Sequence, residues 1–202
     1  MEKPLSTTSQ AILGLLSLRP WSTYELAKQA RRSLDWFWPR AERKLYEEPK
    51  RLAAAGLARS EGEMTGARPR TVYTVTRQGR TALRTWLGEP PVPPTLEFEG
   101  MVKVFFADGG SLEQLRATLT TIAETAEARL GDLHEKVAEH ERGEGAFPER
   151  LHINALGLRF HLDHERSIGT WARWALDQTA EWHSTTDPGD WDHRRAYPDP
   201  AG

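Results

Sequence analysis

Pro90, Pro91, Pro93 and Pro94 place four prolines within five positions, directly behind Gly88. Proline has no backbone N–H and clashes with the preceding helical turn, so neither a helix nor a central strand can run through this stretch. It predicts a stiff connector that divides the 202-residue chain into two bodies. The charges divide at the same place. The chain carries a net −2 overall, but the part through Pro90 is +7 and the remainder is −9, and all seven histidines lie in the acidic part. A basic body beside an acidic one predicts one face for a polyanion and another for something else.

Composition narrows the class further. With 38% apolar and 28% charged residues the chain is ordinary globular material, which excludes collagen-like and wholly disordered folds. No apolar run reaches the roughly 18 residues a membrane span needs, and Met1-Glu2-Lys3-Pro4 lacks the layout of a secretory signal, so a cytoplasmic protein is expected. The absence of cysteine removes disulfide scaffolds, thiolate metal sites and cysteine nucleophiles together. No GxGxxG, Walker-type, HExxH or GxSxG motif occurs, and no acid and base stand paired in an apolar setting, so no enzyme is expected.

In the basic body, Thr7-x-x-Gln10 and Ser22-x-x-Glu25 have capping-box spacing and predict two short helices. A third runs from about Pro39 to Gly56, the latter a good left-handed stop, with Pro49 predicted to kink or break it. Leu57 to Glu63 and Arg70 to Thr76, joined through Met64-Thr65-Gly66-Ala67, read as a β-hairpin. Thr76 then caps a fourth helix carrying Ala82, Leu83, Trp86 and Leu87. In the acidic body, Phe98 to Ala107 reads as a short apolar helix. Ser111-x-x-Gln114 opens a helix to about Arg142, on the order of 48 Å at ~1.5 Å per residue, long enough to predict a partner chain as its cover. Glu149 to Trp182 forms a last long helix, and a tail follows from Ser184.

Two helices, a third rich in Arg and Lys, a hairpin and a fourth helix is the order of a winged helix-turn-helix. In that arrangement a helix enters the major groove while cations there and on the hairpin neutralise phosphates. The third segment supplies Arg40, Arg43, Lys44, Lys50 and Arg51; Arg68 and Arg70 flank Pro69 on the hairpin. Each cation also has a plainer explanation, since Glu42, Glu47 and Glu48 lie where surface pairs at i, i+4 form. His161-x-x-His164-Glu165 has helical spacing, but no third and fourth metal ligand is apparent. Trp171, Trp174 and Trp182 either line an aromatic pocket or pack as core.

At these residues the chain resembles the PadR-like transcriptional regulators, in particular members with a longer, virulence-activator-type C-terminal helical domain. The resemblance rests on Leu13-Gly14-Leu15-Leu16, Tyr24-Glu25-Leu26, Trp38-Pro39-Arg40 leading to Leu45-Tyr46, Lys50-Arg51-Leu52, Gly56-Leu57, and Tyr73-Thr74-Val75-Thr76 with Gly79. Glu97-Phe98 through Val104-Phe105-Phe106-Ala107, followed by a long helix, looks like the family's dimerisation domain. The resemblance implies a homodimer on a near-palindromic operator, usually a repressor, with release by a small molecule in members where an inducer is known. It also implies that Tyr24 and Tyr46 lie near the DNA backbone and that Arg40 to Lys44 begin the recognition helix. Ser22-Thr23 stands where the family commonly has His-Gly, and Pro49 replaces a commonly apolar position.

The resulting expectation is a mainly α chain. Residues 1–88 form a winged helix-turn-helix with a two-stranded wing, 89–97 a Pro-rich linker, 98–183 an all-α dimerisation domain of long helices, and 184–202 a flexible tail. DNA binding is expected from Tyr24, Arg40, Arg43, Lys44, Tyr46, Lys50, Arg51, Arg68 and Arg70. Dimerisation is expected from Phe105, Leu112, Leu115, Leu119, Ile122, Phe160 and Trp171. No cofactor, metal or catalytic residue is expected; the partners are double-stranded operator DNA, a second copy and a small-molecule effector, with no membrane. The alternative is a helical dimeric scaffold that binds protein rather than a DNA sequence.

Overall fold

The computed structural model describes residues 5–34, 37–38, 42–65, 68–144 and 147–197. By contacts the chain forms two compact units, Met1–Pro94 and Thr95–Gly202. Among the described residues no helix is long and apolar enough to cross a membrane.

The first unit runs α1 (Thr7–Leu18), β1 (Trp21–Ser22), α2 (Thr23–Leu34), α3 (Glu42–Ala54), β2 (Ala58–Thr65), β3 (Arg68–Val75) and α4 (Arg77–Leu87). It is a winged helix. The start of α1 lies one residue before the predicted cap: Ser6 Oγ accepts from the Ser9 N–H at 3.1 Å, and Gln10 is buried with its Oε1 unpaired. The Ser22-Glu25 box forms as read, with the Ser22 N–H donating to Glu25 Oε2 at 2.9 Å and the Glu25 N–H to Ser22 Oγ at 3.3 Å. The sheet has three strands rather than two, in the order β1-β3-β2, because Trp21 and Ser22 pair with Tyr73 and Val72. Two residues show no alternation, so the pattern could not reveal them. What holds β1 there is the Trp21 side chain, buried with its indole N–H donating to Leu15 O at 2.8 Å. Met64 and Thr65, expected in the loop, continue β2 opposite Pro69 and Arg68.

Pro49 does not break α3, which continues to Ala54. The Leu45 carbonyl loses its helical donor, but the ring is among the most buried side chains of the protein, and apolar burial offsets that cost. Gly56, at φ +72°, ends α3 and lets the Leu57 N–H reach Leu52 O at 2.9 Å. Thr76 Oγ1 then donates to Gly56 O at 2.8 Å and accepts from the Gly79 N–H at 3.1 Å, which locks the end of the wing to the first turn of α4. The core of this unit joins Ile12, Leu13 and Leu16 of α1, Leu26 of α2, Leu45 and Leu52 of α3, and Val72, Tyr73 and Val75 of β3.

The second unit contains α5 (Glu99–Phe105), α6 (Leu112–Glu141) and α7 (Leu151–Gln178), with short 3-10 turns at Ala107–Gly109, Pro148–Arg150, Thr179–Glu181 and His193–Ala196. Ser111 and Gln114 form the predicted capping box of α6. One face of α6 is covered within the chain: α7 runs back along it and α5 packs on it, so that Leu115, Leu119, Ile122, Ala123, Ala126 and Leu133 are buried. At Gly169 the two helices pass close, and a Cβ there would lie in ordinary contact, 3.4 Å from the Ala126 Cβ. Trp171 packs against the cluster of Ile122, Ala123 and Ala172. Part of the segment after Ser184 packs back on the unit. Trp191 stacks edge-on against Trp182 at 5.3 Å and donates to Gln178 Oε1 at 2.9 Å, while Thr185 Oγ1 donates to Gly110 O at 3.0 Å.

Candidate nucleic-acid interface

α3 sorts its residues by face. Leu45, Glu48, Pro49 and Leu52 turn inward, Tyr46 is half-buried, and Arg43, Lys44, Lys50 and Arg51 are exposed. The spacing of the inward set is that of one helical stripe, so the cations are left on the opposite side by geometry alone. A buried polar contact anchors that face: Ser9 Oγ on α1 donates to Glu48 Oε1, and Arg51 Nη1 donates to Glu48 Oε2 at 3.3 Å. A buried carboxylate needs such partners, and here they tie the basic helix to α1.

Tyr24 stands exposed on the first turn of α2. Arg70, on β3, reaches toward the same place: its guanidinium lies 4.0 Å from Glu25 and donates to Glu63 Oε2 on β2 at 2.9 Å. The structure therefore brings the wing arginine beside the start of α2. Arg40 lies outside the described residues. Arg68 is paired in backbone register with Thr65, and its side chain is also outside them. Sequence reasoning missed Arg19, whose guanidinium sits 3.5 Å over the Trp21 ring and 4.0 Å from Glu25. No spacing rule marks it, because it lies between elements and is placed only by the packing of Trp21.

Two carboxylates here, Glu25 and Glu47, have their pKa lowered. Hydrogen bonds from the Ser22 hydroxyl and then its backbone N–H hold Glu25 below the ordinary carboxylate value; burial opposes them, and Arg19 and Arg70 add to the lowering. Arg43 Nε donates to Glu47 Oε1 at 2.7 Å, which lowers the pKa of Glu47 and raises that of Arg43.

In the second unit the expected dimerisation residues separate into two groups. Leu115, Leu119 and Ile122 are buried within the chain itself and pack in the core of this unit. Leu112 and Trp171 are half-buried, while Phe105 and Phe160 remain exposed at 78% and 63%. Val102 and Phe106 flank the first, and Ile153 and Leu156 continue the stripe of the second, all exposed. Between the far ends of α6 and α7 an open cavity of about 350 Å³ is lined by Val137, Leu151, Ala155, Leu158 and Leu162, with His140 and Arg159 at its edge.

His161 does not pair with His164 as a ligand set would require. Its Nε2 faces Glu165 Oε1 at 3.4 Å, Arg129 of α6 donates to the same oxygen at 3.3 Å, and His164 stacks on Phe160. Burial pushes His161 below the ordinary imidazole value, with Glu165 pulling the other way and Lys136 and His164 adding to the lowering. The folded state thus binds fewer protons than the unfolded chain. His161 therefore contributes stability that is fully present above the unfolded pKa of about 6.5 and is lost as pH falls through the folded value. Thermal melts taken between about pH 7.5 and 5 should show a falling midpoint, and the fall should be shallower in His161→Gln. Equal slopes in both proteins would assign the acid sensitivity to other groups.

Both parts of the chain are similar to known proteins. The Transcriptional regulator PadR-like family matches residues 12–85, and the Virulence activator alpha C-terminal domain matches residues 99–179. The negative transcriptional regulator PadR of Bacillus subtilis is 28% identical over 167 residues, spanning 80% of this chain and 91% of that protein. The crystal structure of Bacillus subtilis PadR in complex with operator DNA matches with a TM-score of 0.75 at 25% identity, over 85% of this chain and 98% of that one. The structure of the same protein with p-coumaric acid matches with a TM-score of 0.67 at 25% identity, over 85% and 98% of the two chains.

Proposed function

Because the chain belongs to the PadR-like family of transcriptional regulators and carries a virulence-activator-type C-terminal domain, we propose that it is a cytoplasmic repressor that acts as a homodimer on an inverted-repeat operator. The family is one of regulators rather than enzymes. The observation that carries the reading is the solvent face of α3, with Arg43, Lys44, Lys50 and Arg51 exposed on a helix whose other side is pinned to α1. Tyr24, Tyr46 and the hairpin arginines 68 and 70 contact the DNA backbone in this reading, and Arg40 continues the α3 set. Residues 1–88 bind DNA, 89–97 link, and 98–183 assemble the dimer. Two copies then offer α3 to successive major grooves about 34 Å apart, or a small multiple of that. Footprinting on the protein's own upstream region tests this, and two protected half-sites in inverted orientation are expected. Binding that follows charge alone, with no protected sequence, would instead favour the scaffold that docks an acidic protein.

The apolar side chains left exposed on α5 and α7 support assembly through the second unit, since patches of this kind mark interaction sites. Leu156→Glu with Phe160→Glu should turn the dimer into a monomer in sedimentation velocity, with helical circular dichroism retained and operator affinity lowered. A double variant that stays dimeric would move the interface to another surface. The relative found with p-coumaric acid supports a small aromatic acid as the effector class in this reading: a ligand that binds one dimer arrangement better shifts the population toward it. Adding p-coumarate to the footprinting reaction tests for loss of protection.

A further inference from the structure

Four arginines of the first unit each carry a carboxylate of their own. Arg43 Nε meets Glu47 Oε1 at 2.7 Å, Arg70 Nη2 meets Glu63 Oε2 at 2.9 Å, Arg59 Nε meets Glu61 Oε1 at 3.2 Å, and Arg51 Nη1 meets Glu48 Oε2 at 3.3 Å. Glu48 is buried and also accepts from Ser9, so it belongs to the architecture of α3. Glu47 and Glu63 are different. Their side chains are 52% and 46% exposed, and the hydrogen bonds they accept come from Arg43 and Arg70. Exposed pairs of this kind contribute little to stability. They do have an electrostatic consequence: each places a negative charge where a phosphate oxygen would have to sit, and each occupies the guanidinium edge that a phosphate would use. Glu63 Oε2 accepts from both Nε (3.2 Å) and Nη2 (2.9 Å) of Arg70, so it occupies the guanidinium edge that a phosphate would use.

We propose that Glu47 and Glu63 are specificity-determining residues, built-in counter-ions that hold Arg43 and Arg70 away from non-operator DNA. The inference rests on the DNA-binding reading above. On arbitrary duplex the phosphates meet arginines already neutralised and carboxylates that repel them, so the sequence-independent attraction is weak. On the operator, contacts made by the rest of α3 hold phosphates in register beside Arg43 and Arg70, and each guanidinium exchanges its carboxylate for a phosphate. Specificity is a difference between two affinities, and a repulsive element that penalises the wrong partner widens it. Charge near the rim of an interface acts in the same sense, setting salt dependence and partner choice more than affinity for the right partner.

The test compares wild type with the double variant Glu47→Gln, Glu63→Gln on two duplexes, the footprinted operator and a mixed-sequence fragment of equal length, across a salt series. Removing the carboxylates should raise affinity for the mixed-sequence duplex by about tenfold and for the operator only about two- to threefold, with the salt dependence steepened by roughly one per residue on the mixed-sequence duplex. The operator preference therefore falls. A control with the same gain in net charge, Glu124→Gln with Glu127→Gln on the exposed side of α6, should leave both affinities unchanged. Melting midpoints equal to wild type establish that fold is not the cause. If wild type prefers its operator and the Glu47/Glu63 variant keeps the same preference and salt slope, the counter-ion role is overturned while the regulator reading stands. If the α6 control reproduces the effect, net charge explains it and the role is again overturned. If wild type binds neither duplex, the regulator reading fails first and this inference goes with it.

Discussion

Replacing Arg43 and Lys44 together by alanine is expected to weaken operator binding about a hundredfold while leaving the fold intact. Both side chains are exposed on α3, and among the described residues the ion pair of Arg43 is with Glu47, an exposed pair of small worth to stability. On DNA each cation is a phosphate or base contact, and losing two such contacts at about 1.4 kcal/mol each, toward the lower end of the usual ~1–3 kcal/mol, corresponds to a factor on the order of a hundred. The salt dependence should fall by about two at the same time, because two fewer counter-ions are released. Titrations at low and moderate salt, paired with a melt, check both parts. An unchanged operator affinity would falsify the assignment of α3 as the recognition helix and return attention to the wing and the start of α2.

Gly79→Ala is expected to have the larger effect on stability, and its sign is the informative part. Gly79 is in the first turn of α4, where helix propensity alone would make alanine favourable by up to about 1 kcal/mol. The surroundings reverse that preference. A Cβ there would sit 2.1 Å from Leu57 O and 2.9 Å from Val75 Cγ2. Leu57 O already accepts from the Thr76 N–H at 3.0 Å, so it is part of the hinge between α3, the wing and α4 and has no direction in which to yield cheaply. Overpacking of this kind costs about 3 kcal/mol, which for a unit of this size lowers the melting midpoint by roughly 12–24 °C. Since the wing hangs on that hinge, operator binding should weaken together with stability, whereas the Arg43/Lys44 change weakens binding with stability unchanged. A melting midpoint at or above that of wild type would show that the helix and strand separate without cost.

The two predictions draw on different layers of information. The face of α3 was legible in the sequence because a helix sorts residues by their spacing, and Leu45 and Leu52 mark one side however the rest of the chain folds. Ser22, Thr76 and Ser111 were legible as caps because a side chain that bonds a backbone N–H three residues on needs no distant partner. The start of α1 was read one residue late for the same local reason, since Ser6, Thr7, Thr8 and Ser9 all carry hydroxyls and only the first takes the cap. The close approach of Gly79 to Leu57, the third strand at Trp21 and the position of Arg19 left no comparable trace. Each depends on residues brought together by packing rather than by neighbourhood in the chain.

The amino-acid order alone determined the division at the prolines, the basic and acidic bodies, the helices with their caps and apolar stripes, and the hairpin, all of which follow from interactions spanning a few residues. The tertiary structure alone decided which stripe meets which. It turned Leu115, Leu119 and Ile122 inward against α7, left Phe105 and Phe160 outside, folded Pro49 into the core, and set Glu63 and Glu25 around Arg70. An apolar stripe records that it must be covered but not by what, because burial is non-directional and any complementary surface satisfies it. The choice among covers is made by the whole chain at once.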